Sequence, residues 1–139
     1  MIQTDKDLLL KDLCARLPYG VKCHIGDNKP YTLSSVSDDY DGTIVGFKEQ
    51  KNGFNMEVYL SECKLYLFPM SSMTEEQKEE IEDKLIFPNN SDGGWVEILY
   101  NDKYDIPFWF IDFCNKNHLD YMGLIDKGLS IDATNLSIY

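Results

Sequence analysis

The sequence lacks most of the short patterns that carry known chemistry. It has two histidines and four cysteines, and no CxxC pair or neighbouring histidine completes a zinc-binding pattern. No GxxxxGK[ST] or GxGxxG stretch is present to cradle a nucleotide, and GxSxG is missing as well. We therefore expect no cofactor and no metal, and we expect the cysteines to be small apolar side chains in a reducing compartment.

Long apolar runs are also missing. No stretch approaches the ~18 consecutive apolar residues of a membrane-spanning helix, and Met1 is followed by polar and acidic residues, unlike a secretion signal. These absences predict a cytoplasmic protein without a membrane contact. We expect a single globular domain over residues 1–139, because a chain of this length supports one hydrophobic core.

Basic residues are scarce, with 13 Lys and Arg against 24 Asp and Glu, for a net charge of −11. The imbalance lies in residues 74–139, which hold 5 basic and 14 acidic residues, whereas residues 1–73 hold 8 and 10. Such a surface repels phosphate backbones, so direct nucleic-acid binding is not expected. A basic partner, or mimicry of the charge of nucleic acid, is compatible with it.

The first half of the chain predicts a helix followed by strands. Thr4 is the expected helix cap, and the helix carries an apolar stripe of Leu9, Leu10, Leu13, Cys14 and Leu17. From Val21 the apolar residues alternate with polar ones, and the acidic cluster SDDYD at 37–41 is typical of a turn. The predicted strands lie near residues 21–25, 31–33, 43–47 and 54–60, with a further one at 65–68.

The second half predicts mainly helices. Thr74 and Gln77 form a capping box for a helix that runs to about residue 85, and residues 105–107 are typical of the start of another that ends near Asn117. Asp120 is the expected cap of a shorter helix that ends at Gly128. The remaining predictions are a loop at 88–94, a strand at 95–100 and a last strand from residue 129.

These patterns together predict an α+β fold. We expect a small, antiparallel and strongly bent β-meander of about four to five strands, partly barrel-like, packed with about three to four helices.

The stretch FWFIDFCNKNHLDY at 108–121 places Cys114 and His118 one helical turn apart, with Asp120 close by. A thiol and an imidazole at this spacing are a candidate nucleophile and base. The aromatic surroundings of Cys114 favour an inert thiol, and in the structural interpretation His118 lies at the helix end, where an imidazolium would suit the negative pole. A metal site at His118 lacks a second histidine nearby, because His24 belongs to a predicted strand.

Aromatic side chains surround the start of the same helix, which carries Phe108, Trp109, Phe110 and Phe113. Two interpretations remain open. The rings fill the core between sheet and helices, or some of them are covered by a second subunit or a partner protein. In the second case the expected contact residues are Trp109, Phe110 and Tyr121.

Three stretches carry a resemblance to known proteins. KDLCARLPYGVK, LYLFPMSSMTEEQ and NKNHLDYMGLIDKGLSIDAT, in this order, resemble a group of small uncharacterised proteins of gut Bacteroidales, often encoded among prophage and mobile-element genes. The resemblance implies a bacterial cytoplasmic setting and a phage or mobile-element origin. It implies no activity, because no catalytic or binding residues are assigned in that group.

The absence of recognisable catalytic motifs favours a noncatalytic protein-interaction module that binds an unknown protein or a second copy of itself. One alternative is a small enzyme that uses Cys114 and His118 with Asp120. Another alternative is an acidic inhibitor that mimics nucleic acid, with the acidic helix face at 75–83 as an array of phosphate-like charges.

Overall fold

The structure is a computed structural model that describes residues 2–27, 29–39, 42–48, 55–84 and 108–139. Within these ranges the chain forms three α-helices and six strands, so it is an α+β protein, as predicted. The helices are α1 (Gln3–Arg16), α2 (Glu75–Lys84) and α3 (Phe108–Lys116). The strands are β1 (Lys22–His24), β2 (Tyr31–Asp39), β3 (Gly42–Lys48), β4 (Asn55–Tyr59), β5 (Lys64–Leu67) and β6 (Ser130–Asp132).

The six strands form one sheet in the order β4-β3-β2-β1-β5-β6. All neighbouring pairs are antiparallel except β5 and β6, which run parallel. Because β4 and β6 lie at opposite edges, the described strands leave the sheet open. The predicted antiparallel, partly barrel-like meander of four to five strands is therefore not confirmed. The last strand is only three residues long, and no local pattern indicates its distant partner or its direction.

Strand β2 is longer than its sequence predicts. It continues from Tyr31 to Asp39, and Asp38 pairs with Thr43 of β3. The prediction of a polar turn at 37–41 is therefore wrong for residues 37–39, which belong to the strand. Aspartate and serine are uncommon in strands, but pairing along β3 outweighs that preference here. Tyr40 and Asp41 lie outside the described residues.

The β2–β3 pair contains a close approach between Gly46 and Ser35. The register shifts between Leu33 and Ser35, and a Cβ atom built on Gly46 would lie 2.2 Å from the Ser35 hydroxyl oxygen. Any other residue at position 46 would force the Ser35 side chain to move.

Helix α1 begins two residues earlier than its sequence predicts. Its first residue is Gln3, and the residue before it, Ile2, makes no side-chain capping bond, so the prediction that Thr4 caps the helix is wrong. Thr4 lies inside the first turn.

The buried face of α1 also differs from the predicted apolar stripe. Leu9 and Leu13 are fully buried against the sheet, whereas Cys14 is exposed. The same face continues through Asp12 and Arg16, both fully buried. A pair of charged side chains therefore lies where an apolar surface was expected.

A second hydrophobic cluster joins α2 and α3. Its buried members are Met73, Ile81, Phe110, Phe113, Cys114 and Leu119. The predicted capping box before α2 is confirmed: the Thr74 backbone N–H donates to Gln77 Oε1 over 2.9 Å, and the Gln77 N–H donates to Thr74 Oγ1 over 3.2 Å. Gln77 Nε2 also donates to Asn117 Oδ1 over 3.3 Å, which ties α2 to the end of α3.

The segment after α3, which we call the closing segment (residues 117–132), returns the chain to the sheet. Phe68 and Leu119 form a parallel bridge, and β6 then pairs with β5. A short run of turns ends at Gly128, which has the left-handed conformation with φ 73°. The Leu129 N–H donates to Leu124 O and the Gly128 N–H to Ile125 O, so Gly128 is a terminating glycine as predicted. Residues 121–128 form turns, however, so the short helix predicted between Asp120 and Gly128 is wrong.

Several predicted elements lie outside the described residues: the loop at 88–94, the strand at 95–100 and the helix start at 105–107. Where the structure describes α3, it begins at Phe108 and ends at Lys116, close to the predicted end at Asn117. None of the helices in the described ranges combines the length and the apolar character needed to cross a membrane.

Candidate functional site

The candidate residues at the end of α3 meet two residues of α1 that the sequence did not single out. We call this group the polar centre. Its members are Asp12, Arg16, Cys114, Asn115, His118, Asp120 and Tyr121. Asp12 and Arg16 are fully buried, and Asn115 and Asp120 are nearly so. Polar side chains of this density are unusual in the core of a small protein.

An ion pair lies in the middle of the polar centre. Arg16 Nε donates to Asp12 Oδ2 over 2.7 Å, and both side chains are fully buried. Arg16 Nη2 donates to the Leu119 carbonyl over 2.5 Å, and the guanidinium lies 5.3 Å from the centroid of the Tyr121 ring. Burial raises the pKa of Asp12, and the adjacent guanidinium opposes that rise. Arg16 thus joins α1 to the closing segment.

Several buried atoms of this region have no hydrogen-bond partner in the described protein. They are Asp12 Oδ1, Arg16 Nη1, Asn115 Oδ1, His118 Nδ1 and Ser130 Oγ. An unpaired buried polar atom costs about 1–3 kcal/mol. The unpaired atoms of the polar centre therefore lower the stability of the fold. The ion pair between Asp12 and Arg16 and the other hydrogen bonds of the centre must offset that loss.

His118 occupies a backbone position that usually belongs to glycine. Its φ is 58°, the Leu119 N–H donates to Cys114 O over 2.8 Å, and the His118 N–H donates to Asn115 O over 3.3 Å. These two bonds are the pattern in which a left-handed residue ends a helix. The backbone around His118 then bonds to Phe68, whose N–H donates to His118 O. His118 is therefore the corner at which α3 turns towards the sheet.

The His118 ring is stacked on an aromatic ring, and its pKa is lowered. It lies parallel to the Tyr139 ring, with centroids 3.9 Å apart, and the Tyr139 hydroxyl accepts from Lys22 N and donates to Tyr66 O, each over 2.8 Å. Burial lowers the pKa of His118 to about 4, and the positive charges of Arg16 and Lys22 act in the same direction. These effects act against the imidazolium, which the negative pole of the helix would favour.

The lowered pKa of His118 makes stability depend on pH. Below the unfolded-state value of 6.5, the unfolded chain takes up a proton that the folded chain binds only near pH 4, so stability falls as the pH drops through this window. Asparagine tolerates a positive φ and does not titrate. We expect the free energy of unfolding, measured by urea denaturation, to fall less between pH 6.5 and pH 4 in His118→Asn than in the wild type. Parallel pH profiles of the two proteins would contradict this expectation.

Cys114 lacks the properties of a nucleophile. It is fully buried, and burial raises its pKa to about 12, so the thiolate is scarce at neutral pH. Cys114 and His118 are not hydrogen-bonded to each other, although the structure describes both. Both carboxylate oxygens of Asp120 accept backbone bonds, from Leu124 N over 2.8 Å and from Ile125 N over 2.9 Å. Asp120 thus caps the following turns, and this geometry does not favour Cys114, His118 and Asp120 as a catalytic group.

Iodoacetamide provides a direct test of the thiol. Cys14 is exposed and Cys114 is buried, so the folded chain contains its own comparison. We expect peptide mass spectrometry to find Cys14 alkylated at least about a hundredfold faster than Cys114, because both burial and protonation protect the latter. Equal labelling of the two cysteines in the folded protein would restore the enzyme alternative. Labelling in urea, where the rates should converge, is the control.

Metal ligands do not converge in the described part of the chain. No group of three or more His, Cys, Asp or Glu side chains is arranged there to hold an ion. Asp112, a carboxylate of α3, accepts a hydrogen bond from the Tyr19 hydroxyl. This bond links the turn that follows α1 to α3.

The predicted interaction residues differ in exposure. Phe110 is fully buried in the second cluster, so its ring offers no surface to a partner in this structure. Trp109 and Tyr121 are half-buried and pack against the same cluster, and Trp109 meets Phe110 edge to face with centroids 6.1 Å apart. Phe108, which was not among the three, is 85% exposed. The apolar surface of α3 is therefore centred on Phe108 and Trp109.

The acidic face predicted for the second helix is present. Ile81 is fully buried, and the exposed glutamates of α2 are Glu75, Glu76, Glu79, Glu80 and Glu82. Glu75 forms an exposed ion pair with Lys78 over 3.4 Å. The outer surface of this helix is therefore strongly negative.

No family model matches the chain, and neither a curated protein nor a solved structure matches it. Function must therefore be inferred from the chemistry of the residues themselves.

Proposed function

We propose that the chain is a noncatalytic, cytoplasmic protein-interaction module that binds a partner protein through the start of α3. The exposure of Phe108 carries this proposal. A phenylalanine ring that is 85% in solvent gains free energy when it is covered, and aromatic residues are enriched at protein interfaces. Half-buried Trp109 extends the apolar surface from the next position. The Bacteroidales resemblance adds a phage or mobile-element origin to the proposal.

Charge favours a basic partner over a second copy of the chain. Two copies that each carry a net charge of −11 repel each other, whereas a positively charged surface is attracted. The exposed glutamates Glu76 and Glu79 of α2 belong to the helix that shares a hydrophobic cluster with α3. The proposed partner therefore offers an apolar pocket for Phe108 within a basic surface.

A capture experiment with matched variants tests this proposal. Phe108→Ser should lose a retained host protein, with binding weakened at least about tenfold, because a buried aromatic anchor contributes roughly 1.5–3 kcal/mol. Leu136→Ser is the control, since Leu136 is 49% exposed and lies outside α3. Binding should weaken as salt is raised. A protein retained equally by both variants, or a homodimer in light scattering, would contradict the proposed surface or partner.

The acidic-mimic alternative keeps one observation in its favour, the row of exposed glutamates on α2. In that case the captured protein would be a nucleic-acid-binding enzyme. DNA would compete for it, and replacing Glu76 and Glu79 by glutamine would weaken binding more than Phe108→Ser does.

A further inference from the structure

A cleft of about 560 Å³ lies on the molecule apart from the polar centre and from α3. It is bounded by the start of α1, by the ends of β2 and β3 that face their connection, and by the residues that follow β4. Its volume is within the range of small-molecule sites, which is about 300–1,000 Å³. The cleft belongs to neither surface discussed above, so its ligand is a separate question.

The lining of the cleft combines apolar and polar side chains. Leu60 is 6% exposed and Leu10 is half-buried, while Tyr59 is 46% exposed. A partly exposed tyrosine ring is a flat apolar platform that carries a polar tip. The cleft thus offers an apolar surface of the kind on which the C–H groups of a ring can pack.

Two carboxylates line the cleft, those of Asp7 and Asp38. Each accepts one hydrogen bond that orients it, and its other oxygen can still accept a hydrogen bond from a ligand. Gln3 Nε2 donates to Asp7 Oδ1 over 2.9 Å, and Thr43 Oγ1 donates to Asp38 Oδ1 over 3.0 Å. The second oxygen of each carboxylate has no bonding partner within the described ranges. Lys6, which also lines the cleft, forms no ion pair with any described residue.

The mixture of charges limits the ligand class. A ligand with one formal charge is attracted by Lys6 and repelled by Asp7 and Asp38, or the reverse. A neutral ligand with many hydroxyl groups avoids this conflict, because each hydroxyl both donates and accepts. Its hydroxyls can donate to the carboxylates and accept from the ammonium, while its C–H face packs on Tyr59. We infer that the cleft binds a neutral mono- or disaccharide.

An NMR titration of the full chain with maltose, cellobiose and N,N′-diacetylchitobiose tests this inference. We expect at least one sugar to cause saturable shifts in the amides of Lys6, Thr43 and Ser61, with a dissociation constant on the order of 1 mM. Tyr59→Ala should weaken binding roughly tenfold through loss of the platform. Lys6→Ala should weaken sugar binding several-fold. Lys6 is exposed on α1, so its replacement should leave the core intact.

Three outcomes would overturn the inference. The first is that none of the three sugars gives saturable shifts at about ten times that dissociation constant. The second is that Tyr59→Ala and Lys6→Ala both bind as wild type does. The third is that phosphate, which carries only negative charge, or putrescine, which carries only positive charge, binds more tightly than every sugar. Leu136→Ala is the control variant, since Leu136 is exposed away from the cleft lining and its loss should leave sugar binding unchanged.

Discussion

Replacement of Asp12 by alanine is expected to lower the free energy of unfolding by about 3–5 kcal/mol. The substitution removes the carboxylate that pairs with the fully buried Arg16 guanidinium. The remaining bond from Arg16 to the Leu119 carbonyl does not neutralise the positive charge. A domain of this size is stable by about 5–15 kcal/mol in total, so Asp12→Ala should bring it close to unfolding at room temperature. Urea denaturation followed by circular dichroism measures the effect.

Asp7→Ala is the matched control for this substitution. Asp7 lies on the same helix and is exposed, so its loss should change the free energy of unfolding by no more than about 0.5 kcal/mol. The double variant Asp12→Leu, Arg16→Met should lose less than Asp12→Ala, because an apolar pair removes both buried charges together. A loss from Asp12→Ala as small as that from Asp7→Ala would show that the ion pair is hydrated in solution.

Phe110→Ala is expected to cost about 3–5 kcal/mol, since it opens a cavity in the second cluster. Phe110 is fully buried there beside Ile81, Phe113 and Leu119, and it also loses its edge-to-face contact with Trp109. The effect should appear as a lower urea midpoint with little change in the slope of the transition.

The nearby Phe108→Ala provides the comparison for this cavity. It removes the same ring two positions earlier, where the side chain is 85% exposed, and should change stability by about 0.5 kcal/mol or less. The pair of variants thus separates the two roles of the aromatic helix: one ring supports the fold and the other is free to contact a partner. Equal losses from both would mean that Phe108 is covered in solution.

Several features could be predicted from the sequence because neighbouring residues determine them. Thr74 and Gln77 cap α2 through bonds three residues apart, and Asp120 bonds to amides four and five residues ahead. Gly128 was predictable because glycine adopts a positive φ without strain. Capping depends on short-range geometry, which a single sequence contains.

Features that depend on distant segments could not be predicted. Asp12 and Arg16 have the i, i+4 spacing of an ordinary surface ion pair, and only the closing segment buries them. The spacing is the one signal that could have identified the pair. The cleft beside Tyr59 is likewise built from four separate parts of the chain, and no local pattern brings them together.

Long-range contacts also determine how the chain must close on itself. The Arg16 bond to Leu119 spans 103 residues and the Lys22 bond to Tyr139 spans 117, whereas β2, β3 and β4 pair with their neighbours in sequence. The entropy lost in closing a loop grows only with the logarithm of its length, so one very long loop costs little more than a moderate one. The bonds of Arg16 and Lys22 to Leu119 and Tyr139 therefore hold most of the chain between two long-range contacts, at little more entropic cost than shorter loops would carry.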